Sequence, residues 1–320
     1  MADDGAMPTR EHDVDLFERS RGRLEAIAYR LLGSAGDAED AVQDTYLRWH
    51  TVDRDNIEIP EAWLTKVLTN LCLNRLTSAR ARRETYVGQW LPEPLLDGDR
   101  MLGPADTAVQ RDTVSMALLT LLERLSPNER VVYVLREAFG YPHREIASIL
   151  GITEANCQQI HRRARQHIAA DRVRAEVDAV AAARIAEQFV AAALTGDTEP
   201  LIAMLTADAV SIADGGGRVP ARRGPVAGAR AVARYLRGLF RPTDAKRAVI
   251  GGSPTVHTAV VNGGPAVLVE VNGRVAGVFC LDVTAGRVAG LTIQVNPDKL
   301  GRITRSWAAT GPHVPLVARW

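Results

Sequence analysis

The sequence has few cysteines and no long apolar run. Its three cysteines, Cys72, Cys157 and Cys280, are odd in number and lie far apart among 320 residues. This excludes a disulfide framework and a closely spaced zinc site, and it favours reduced thiols. No apolar run approaches the roughly 20 residues that cross a bilayer, and the N-terminal stretch MADDGAMPTREHDVD is acidic where a secretory signal would be basic and then apolar. We therefore expect a cytoplasmic protein that needs no membrane, metal or cofactor.

The chain also lacks an excess of charge of either sign, since its formal net charge is only +1. A whole-chain sum hides local asymmetry, and here the asymmetry is marked. Acidic residues cluster in residues 36–44 (GDAEDAVQD), and basic residues cluster in residues 75–83 (RLTSARARR) and 161–167 (HRRARQH). The near-neutral total therefore does not exclude a nucleic-acid partner.

The length and the 46% hydrophobic content suffice for two or three buried cores. Apolar residues recur at helical spacing in two stretches, and β-branched runs between Gly and Asn turns follow in the last part of the chain. We predict a multidomain protein with two all-α domains and a C-terminal α+β domain with an antiparallel sheet. The predicted parts are an N-terminal tail (1–15), a helical domain (16–83), a linker (84–111), a second helical domain (112–171) and the α+β domain (175–320).

The linker contains the segment WLPEP. Trp90 and Leu91 are large apolar side chains, and Pro92 and Pro94, which flank Glu93, prevent a helix interior or a central strand from continuing here. We expect a Trp in such a segment to rest on another part of the molecule.

Residues 143–168 have the spacing of two closely crossing helices. Such a pair needs a small residue at the crossing, a Gly in a left-handed turn four residues later and an apolar anchor six residues after that. Ala147, Gly151 and Cys157 occupy these three positions. The spacing therefore predicts a helix-turn-helix.

The second helix of this pair has a polar outer face. If Cys157, Ile160, Ala164 and Ile168 face inward, amide and guanidinium side chains face outward, and such groups match base edges and phosphates in a DNA major groove. The amides are better suited to bases and the arginines to phosphates. A helical hairpin with a solvated basic face is the alternative. The outward residues are Asn156, Gln158, Gln159, Arg162, Arg163 and Arg165.

The first helical domain carries two polar surfaces. Residues 36–49 (GDAEDAVQDTYLRW) form a predicted amphipathic helix with an acidic face, for which a solvated acidic helix start is the alternative. A later helix has a polar stripe at four-residue steps that ends in arginines, which suits unstacked bases and a nucleic-acid backbone, again with a solvated stripe as the alternative. The acidic face comprises Asp37, Asp40, Gln43 and Asp44, and the stripe comprises Lys66, Asn70, Asn74, Arg75, Arg80, Arg82 and Arg83.

Taken together, these motifs resemble a bacterial sigma factor of the extracytoplasmic-function (ECF) class, over about residues 16–171. GDAEDAVQDTYLRW resembles the core-polymerase-binding part of sigma region 2, AWLTKVLTNLCLNRL resembles the helix that recognises the minus-ten element, and LSPNERVVYVLREAFGYPHREIASILGIT resembles region 4. The resemblance implies a transcription initiation factor that binds core RNA polymerase, recognises two promoter elements and helps to open the duplex.

The resemblance also implies roles for individual residues. Asp40, Gln43 and Asp44 would contact the clamp helices of the β′ subunit, and region 4 would meet the flap of the β subunit. Asn70 would lie near the pocket for a flipped minus-ten base, with the rest of the stripe along the same DNA. The outward face of the helix-turn-helix would read the minus-thirty-five element.

Two departures from the family pattern concern DNA contacts. Asn74 stands where the family commonly has Asp, and Gln158 and Gln159 stand where Lys and Ser are common. The promoter sequence of the family therefore does not carry over to this chain.

The C-terminal region, with expected helices at 175–194 and near 228–240, resembles a SnoaL-like (NTF2-like) cone. Three segments, WLPEP, DGGGR and NPDKL, resemble the signatures of the sigma-J-type subgroup that carries this extension, although Arg218 stands where Lys is usual. By this resemblance the fused domain modulates the sigma factor in place of a separate anti-sigma factor. The residues involved would be Trp90, Leu91, Pro92, Glu93 and Pro94, then Asp214, Gly215, Gly216, Gly217 and Arg218, and finally Asn296, Pro297, Asp298, Lys299 and Leu300.

The chemistry of these segments supports a contact between them. Glycines at 215–217 permit backbone conformations and close approaches that side chains forbid, and Pro297 ends the last predicted strand. We predict that Trp90, Leu91 and Pro92 rest on the third domain near 214–218 or 296–300. Two ordinary turns are the alternative.

A second function stays open for the cone. Cones of this kind can house acid–base residues, and Asp214, His257 and Asp282 are the candidates here, although a lone His among strands is more often structural. The alternative function is a helix-turn-helix regulator with an enzymatic or ligand-binding SnoaL-like domain. The favoured function requires no catalytic residue and allows a small-molecule ligand in the cone.

Overall fold

The computed structural model describes residues 7–53, 56–84, 86–103, 113–169 and 179–318, without the side chains of residues 7–13, 79–84, 179, 180 and 182. These residues fall into two compact units. The first unit holds the described residues of 1–80, 100–105 and 125–166. The second unit holds those of 81–99, 106–124 and 167–320.

The first described residues form three long helices, which are α1 (Met7–Leu32), α2 (Ala35–Thr51) and α3 (Pro60–Glu84). Helix α1 thus begins inside the predicted tail. It ends at Leu32, and Gly33 follows with a φ of 67°, which favours a residue without a side chain. Ser34 then caps α2, because its hydroxyl accepts a hydrogen bond from the Asp37 amide. The apolar faces of these helices are buried at Leu24, Ile27, Leu31, Val42, Leu64 and Leu68.

Among the described residues, four further helices precede the α+β domain. They are α4 (Met116–Leu122), which belongs to the second unit, and α5 (Pro127–Tyr133), α6 (His143–Leu150) and α7 (Glu154–Ala169), with a π-helical turn (Val134–Ala138) after α5. Gly151 joins α6 to α7 with a φ of 65°, so the predicted helix-turn-helix is confirmed.

Within the first unit, residues 130–141 pack against α1 and α3. The guanidinium of Arg130, which is only 2% exposed, donates a hydrogen bond of 2.8 Å to the Leu31 carbonyl. The hydroxyls of Thr65 and Tyr141 lie 3.0 Å apart. Burial lowers the pKa of Arg130 to about 9.

The second unit contains an α+β domain. Its helices are α8 (Ala179–Leu194), α9 (Glu199–Met204), α10 (Ala229–Phe240), α11 (Asp244–Ile250) and α12 (Gly301–Ala309). Its strands are β1 (Leu205–Asp214), β2 (Val226–Ala227), β3 (Thr255–Val261), β4 (Gly264–Val271), β5 (Arg274–Thr284) and β6 (Arg287–Gln294). The expected helices at 175–194 and near 228–240 correspond to α8 and α10.

The six strands form one sheet in the order β2-β1-β6-β5-β4-β3. Strands β3 to β6 are joined by tight turns at Asn262-Gly263, Asn272-Gly273 and Ala285-Gly286, in which both residues have positive φ and which therefore connect antiparallel neighbours. Strand β1 pairs in parallel with β6. The predicted antiparallel sheet is therefore confirmed for the pairs from β3 to β6 and for β1 with β2. The prediction was wrong for β1 and β6, which run in the same direction.

The parallel pairing brings two sequence motifs together. Asp214 pairs with Gln294 at the ends of β1 and β6, so DGGGR and NPDKL leave the sheet side by side. Ala213 and Ile293, one residue earlier on each strand, belong to the buried apolar core on one face, together with Phe279 of β5. Because side chains alternate along strands, Asp214 and Gln294 point to the opposite face.

The cysteines and the apolar helices were the subject of two further predictions. All three cysteines are buried free thiols. Among the described helices, none combines the length and apolarity of a membrane span.

Candidate polymerase and promoter surfaces, and the linker site

The acidic face of α2 is tied to the polar stripe of α3 through Arg75. Its guanidinium lies 2.7 Å from the Asp44 carboxylate and 3.8 Å from that of Asp40, and it donates to the Asp37 carbonyl at 3.1 Å. The structure therefore brings a predicted DNA-binding residue onto the predicted polymerase-binding helix. Arg75 compensates part of the acidic charge rather than extending freely to DNA, whereas Asp40 and Gln43 are exposed.

Leu47 extends the exposed face of α2 and was missed by sequence reasoning. It follows Gln43 by four residues and Asp40 by seven, so all three lie on one side of the helix. Its side chain is 54% exposed and adds an apolar group to the polar face formed by Asp40 and Gln43. An apolar residue beside polar ones on an exposed face is typical of a protein-binding surface.

The polar stripe on α3 is only partly described. Lys66 and Asn74 are exposed and Asn70 is half-buried, each four residues from the next. The side chains of Arg80, Arg82 and Arg83 lie outside the described residues.

The helix-turn-helix has the predicted inner and outer faces. Cys157, Ile160, Ala164 and Ile168 are buried. All six predicted outward residues are exposed: Asn156, Gln158, Gln159, Arg162, Arg163 and Arg165.

His161 behaves differently from the rest of its basic segment. Its Nε2 lies 2.8 Å from a carboxylate oxygen of Glu137, and its Nδ1 lies 3.3 Å from Nε2 of His143. The hydrogen bond from His161 lowers the pKa of Glu137. These contacts fix α7 against the preceding helices, so His161 has a positioning role.

The linker site, as we call the contacts of residues 86–99 with the α+β domain, is centred on Asp214. This carboxylate is completely buried. It accepts hydrogen bonds from the Tyr86 hydroxyl at 2.7 Å, the Leu91 amide at 3.0 Å, the Gly216 amide at 2.9 Å and the Lys299 ammonium at 2.7 Å. Charge-assisted bonds of this kind in a buried setting are strong and directional.

Lys299 also contacts the same part of the linker directly, at Leu91 and Trp90. Its ammonium also donates to the Leu91 carbonyl at 2.6 Å and lies 4.0 Å from the ring centroid of Trp90. A cation over an indole face contributes about 0.5–2 kcal/mol. Trp90 therefore rests on the NPDKL segment, and Leu91 is completely buried. The predicted contact of Trp90, Leu91 and Pro92 with the third domain is confirmed.

Three further polar side chains complete the site, and two of them, Tyr86 and Gln294, lie outside the segments that the sequence predicted. Gln294 donates to the Pro92 carbonyl at 3.3 Å, and Asn296 donates to the Tyr86 hydroxyl at 2.9 Å. Burial and the hydrogen bond to Asp214 raise the pKa of Tyr86, so the phenol stays protonated at neutral pH. Tyr86 and Gln294 lie just outside WLPEP and NPDKL in the sequence. Their part in the site is shown only by their short distances to Asp214 and to the Pro92 carbonyl.

The second half of the linker follows the edge of β3. Leu96 forms a β-bridge with Val261, and the Leu95 amide and carbonyl bond to Asn262 at 2.8 and 2.9 Å. Asp99 accepts two bonds from the Arg302 guanidinium, at 2.7 and 2.9 Å. The linker thus gains backbone pairing and a bidentate ion pair beyond WLPEP.

The glycines of DGGGR meet the linker site at close range. Gly216 has a φ of 58°, and a Cβ there would lie 2.3 Å from the Asn296 amide nitrogen. A Cβ at Gly217 would lie 3.2 Å from Cβ of Val87 in the linker. The prediction that these positions need glycine for conformation and close approach is confirmed.

The other predicted regulatory residues have smaller roles in the geometry. Arg218 and Asp298 form an exposed ion pair at 3.4 Å, which contributes little to stability. Pro94, Gly215 and Leu300 are buried, Glu93 is half-buried, and Pro297 is exposed at the start of a 3-10 turn (Pro297–Lys299).

The three candidate acid–base residues are not brought together. The Asp214 carboxylate is occupied by the linker. His257, on β3, lies 2.9 Å from the Thr255 hydroxyl and 3.4 Å from the Glu270 carboxylate, and its ring packs edge-on against Trp307. Asp282 lies on β5 beside Gly290 of β6. These contacts give His257 a structural role, as is usual for a lone His among strands.

Two family models match the helical part of the chain. Residues 16–82 match the model of Sigma-70 region 2, and residues 115–168 match that of Sigma-70, region 4. The ECF RNA polymerase sigma factor SigJ of Mycobacterium tuberculosis is 34% identical over 297 residues, which cover 90% of this chain and 93% of the relative. The probable ECF RNA polymerase sigma factor SigI of the same organism is 34% identical over 287 residues, 88% of this chain and 92% of the relative.

A solved structure extends the likeness to the α+β domain. The crystal structure of Mycobacterium tuberculosis SigJ covers 89% of this chain and 97% of its own, with a TM-score of 0.69 and 31% identity. The match therefore includes both sigma regions and the C-terminal SnoaL-like domain. The chain belongs to the ECF sigma factors of RNA polymerase, in the SigJ-type group with a C-terminal SnoaL-like domain.

Proposed function

We propose that this chain is a promoter-specific initiation factor that joins core RNA polymerase in the cytoplasm, reads a minus-ten and a minus-thirty-five element, and is modulated by its own C-terminal domain. The observation that carries the initiation role is the presence of region 2 and region 4 in order, each with an exposed polar face of the expected chemistry.

The α2 face supports a role in binding the polymerase. Asp40, Gln43 and Leu47 are all exposed on one side of α2 and leave its buried side to the core. In this proposal they contact the clamp helices of β′, together with Asp44, whose carboxylate also pairs with Arg75. Region 4 contacts the flap of β. The apolar Leu47 would be buried at the centre of this contact, with the polar side chains of Asp40 and Gln43 around it.

Changing Asp40 and Gln43 together to Ala should weaken core-polymerase binding roughly tenfold or more, because interface residues of this kind contribute about 1–2 kcal/mol each. Fluorescence anisotropy of the labelled full chain with core polymerase measures this. Glu58→Ala, an exposed change outside α2, is the control and should bind like the wild type. If the unmodified chain does not bind core polymerase, the proposed function fails.

The outward face of α7 supports reading of the minus-thirty-five element. Changing Arg162 and Arg165 to Ala should weaken binding of duplex DNA and reduce the slope of log K against log salt by about 0.9 for each phosphate that is no longer neutralised. Titrations at several salt concentrations measure the slope. Arg184→Ala, an exposed change on α8, should leave it unchanged. An unaltered slope in the double variant would assign α7 a solvated face instead.

The linker site supports modulation by the C-terminal domain. Residues 86–99 have their backbone and side chains engaged at Asp214, Lys299 and Asn262, so core polymerase could use this linker only after releasing it. We assign the domain the role that a separate anti-sigma factor plays elsewhere, by competition for the linker. No catalytic reaction is assigned to it, since the Asp214 carboxylate serves the linker.

A further inference from the structure

Helix α10 of the α+β domain presents a row of arginines to solvent. Arg230, Arg234 and Arg237 follow one another at steps of four and three residues, and Arg241 follows four residues later as the C-cap of the helix. Steps of three and four residues return to the same side of a helix. All four side chains are exposed, and we call these four residues the arginine stripe.

The other side of α10 anchors the stripe to the domain. Val232, Ala233, Leu236 and Phe240 are buried, and they belong to the apolar core on one face of the sheet. From its first to its last member the stripe extends about 16 Å along the helix axis, at about 1.5 Å for each residue. Its four guanidinium groups therefore extend from a fixed, elongated surface.

The charge of the stripe is not compensated by nearby acids. Residues 215–243 contain no Asp or Glu, although the whole chain has 38 acidic residues. Among the described residues, no carboxylate forms an ion pair with a member of the stripe, whereas Asp244 pairs with Arg247 and Asp298 pairs with Arg218. Like charges three or four residues apart destabilise a helix slightly. The stripe therefore does not serve the stability of α10.

The chemistry of the stripe suits phosphate groups and not base edges. A guanidinium is always charged and matches a phosphate in two parallel hydrogen bonds. Base edges are also read by amide side chains, and residues 215–243 contain no Asn or Gln. The outward face of α7, by contrast, carries three amides, namely Asn156, Gln158 and Gln159.

The surroundings of the stripe favour a nucleic acid over an acidic protein. Protein interfaces have an apolar core with a polar rim. Helix α10 exposes no large apolar side chain, since Leu236 and Phe240 are buried and Tyr235 and Leu239 are half-buried. A surface that offers cations without an apolar centre is typical of contacts with a phosphate backbone.

We propose that the arginine stripe binds the phosphate backbone of duplex DNA without reading its sequence, as a DNA contact in addition to those of regions 2 and 4. The choice of duplex DNA among polyanions rests on the proposed function, because an initiation factor works on duplex DNA. Binding through phosphates alone adds affinity at any promoter and leaves the choice of promoter to the sigma regions.

A triple variant of the full chain with Arg230→Gln, Arg234→Gln and Arg237→Gln tests the proposal. Gln keeps a high helix propensity and all three positions are exposed, so the fold should be retained. The slope of log K against log salt for a labelled duplex should fall by about 0.9 for each phosphate no longer neutralised, up to about 2.7. The reduction should be the same for two duplexes of unrelated sequence. An unchanged slope, or a reduction confined to one sequence, would overturn the proposal.

A second triple variant controls for the total charge of the chain. Arg274, Arg287 and Arg305 are exposed at scattered positions of the same domain, on β5, β6 and α12. Changing these three to Gln removes the same charge and should leave the slope unchanged. An equal reduction in both variants would show that net charge, and not the stripe, sets the slope, and would reject the site.

Labelled poly-L-glutamate distinguishes DNA from an acidic protein as the partner. The unmodified chain should bind it at least tenfold more weakly than the duplex at the same salt concentration. Comparable affinity that is lost in the stripe variant would assign the stripe to an acidic protein and overturn the DNA contact. Core polymerase is absent from all these titrations, so their outcome is separate from that of the polymerase-binding test of the proposed function.

Discussion

Replacing Asp214 by Ala is expected to lower the free energy of unfolding of the α+β unit by about 3–5 kcal/mol, the usual cost of removing one partner of a buried ion pair. The carboxylate is fully buried, and the Lys299 ammonium, whose side chain is 11% exposed, would be left without it. The Leu91 amide and the Tyr86 hydroxyl would lose their acceptor at the same time. Residues 86–92 should therefore detach from the domain.

Urea denaturation and hydrogen exchange of the full chain measure the two consequences separately. The urea midpoint should fall, and the Leu91 amide should lose its protection from exchange. Asp208→Ala is the matched control, since Asp208 is exposed on the same strand and its removal should change stability by no more than about 0.5 kcal/mol. Retained protection of the Leu91 amide in Asp214→Ala would show that the carboxylate does not hold the linker.

Gly216→Ala is expected to release the linker while keeping Asp214 and Lys299. The added methyl group would lie 2.3 Å from the Asn296 amide nitrogen, and the φ of 58° is itself strained for a residue with a side chain. Strain and displacement of Asn296 together should cost about 1–3 kcal/mol. Under the proposed competition, core polymerase would then bind more tightly, because less free energy is needed to free the linker.

Affinity for core polymerase and hydrogen exchange at residues 86–96 check this expectation together. Gly224→Ala is the control, because a Cβ at Gly224 meets nothing within 4 Å. It should match the wild type in both measurements. If Gly216→Ala exposes the linker but leaves the affinity unchanged, competition for the linker is not the mechanism. If neither quantity changes, the close approach at Gly216 is tolerated.

The helix-turn-helix could be predicted in detail because its determinants are local. The inner and outer faces of α7 follow from a spacing of 3.6 residues per turn, and the turn follows from Gly151. Burial of Cys157 and exposure of Arg162 were both readable in this way. The same periodicity could not show that Arg75 turns towards Asp44 on another helix, since the period gives the face of a residue and not its partner.

The linker site was predictable in part. The apolar character of Trp90 and Leu91 required a covering surface, and the glycines of DGGGR indicated a close approach. Tyr86, Asn262 and Gln294 could not be identified, because ordinary polar residues carry no pattern until the fold brings them within hydrogen-bonding distance.

The sequence by itself determined the order of the helical domains, the polar faces of α2 and α7 and the presence of a strand-rich third domain, because these depend on residues close together along the chain. The tertiary structure alone decided that β1 lies parallel to β6, and this pairing brings Asp214, Gly216, Gln294 and Lys299 together at the C-terminal ends of these two strands. Strand direction depends on how a long connection returns, which local propensity does not encode. The alternation of side chains then separates the linker from the apolar core, each on its own face of the same two strands.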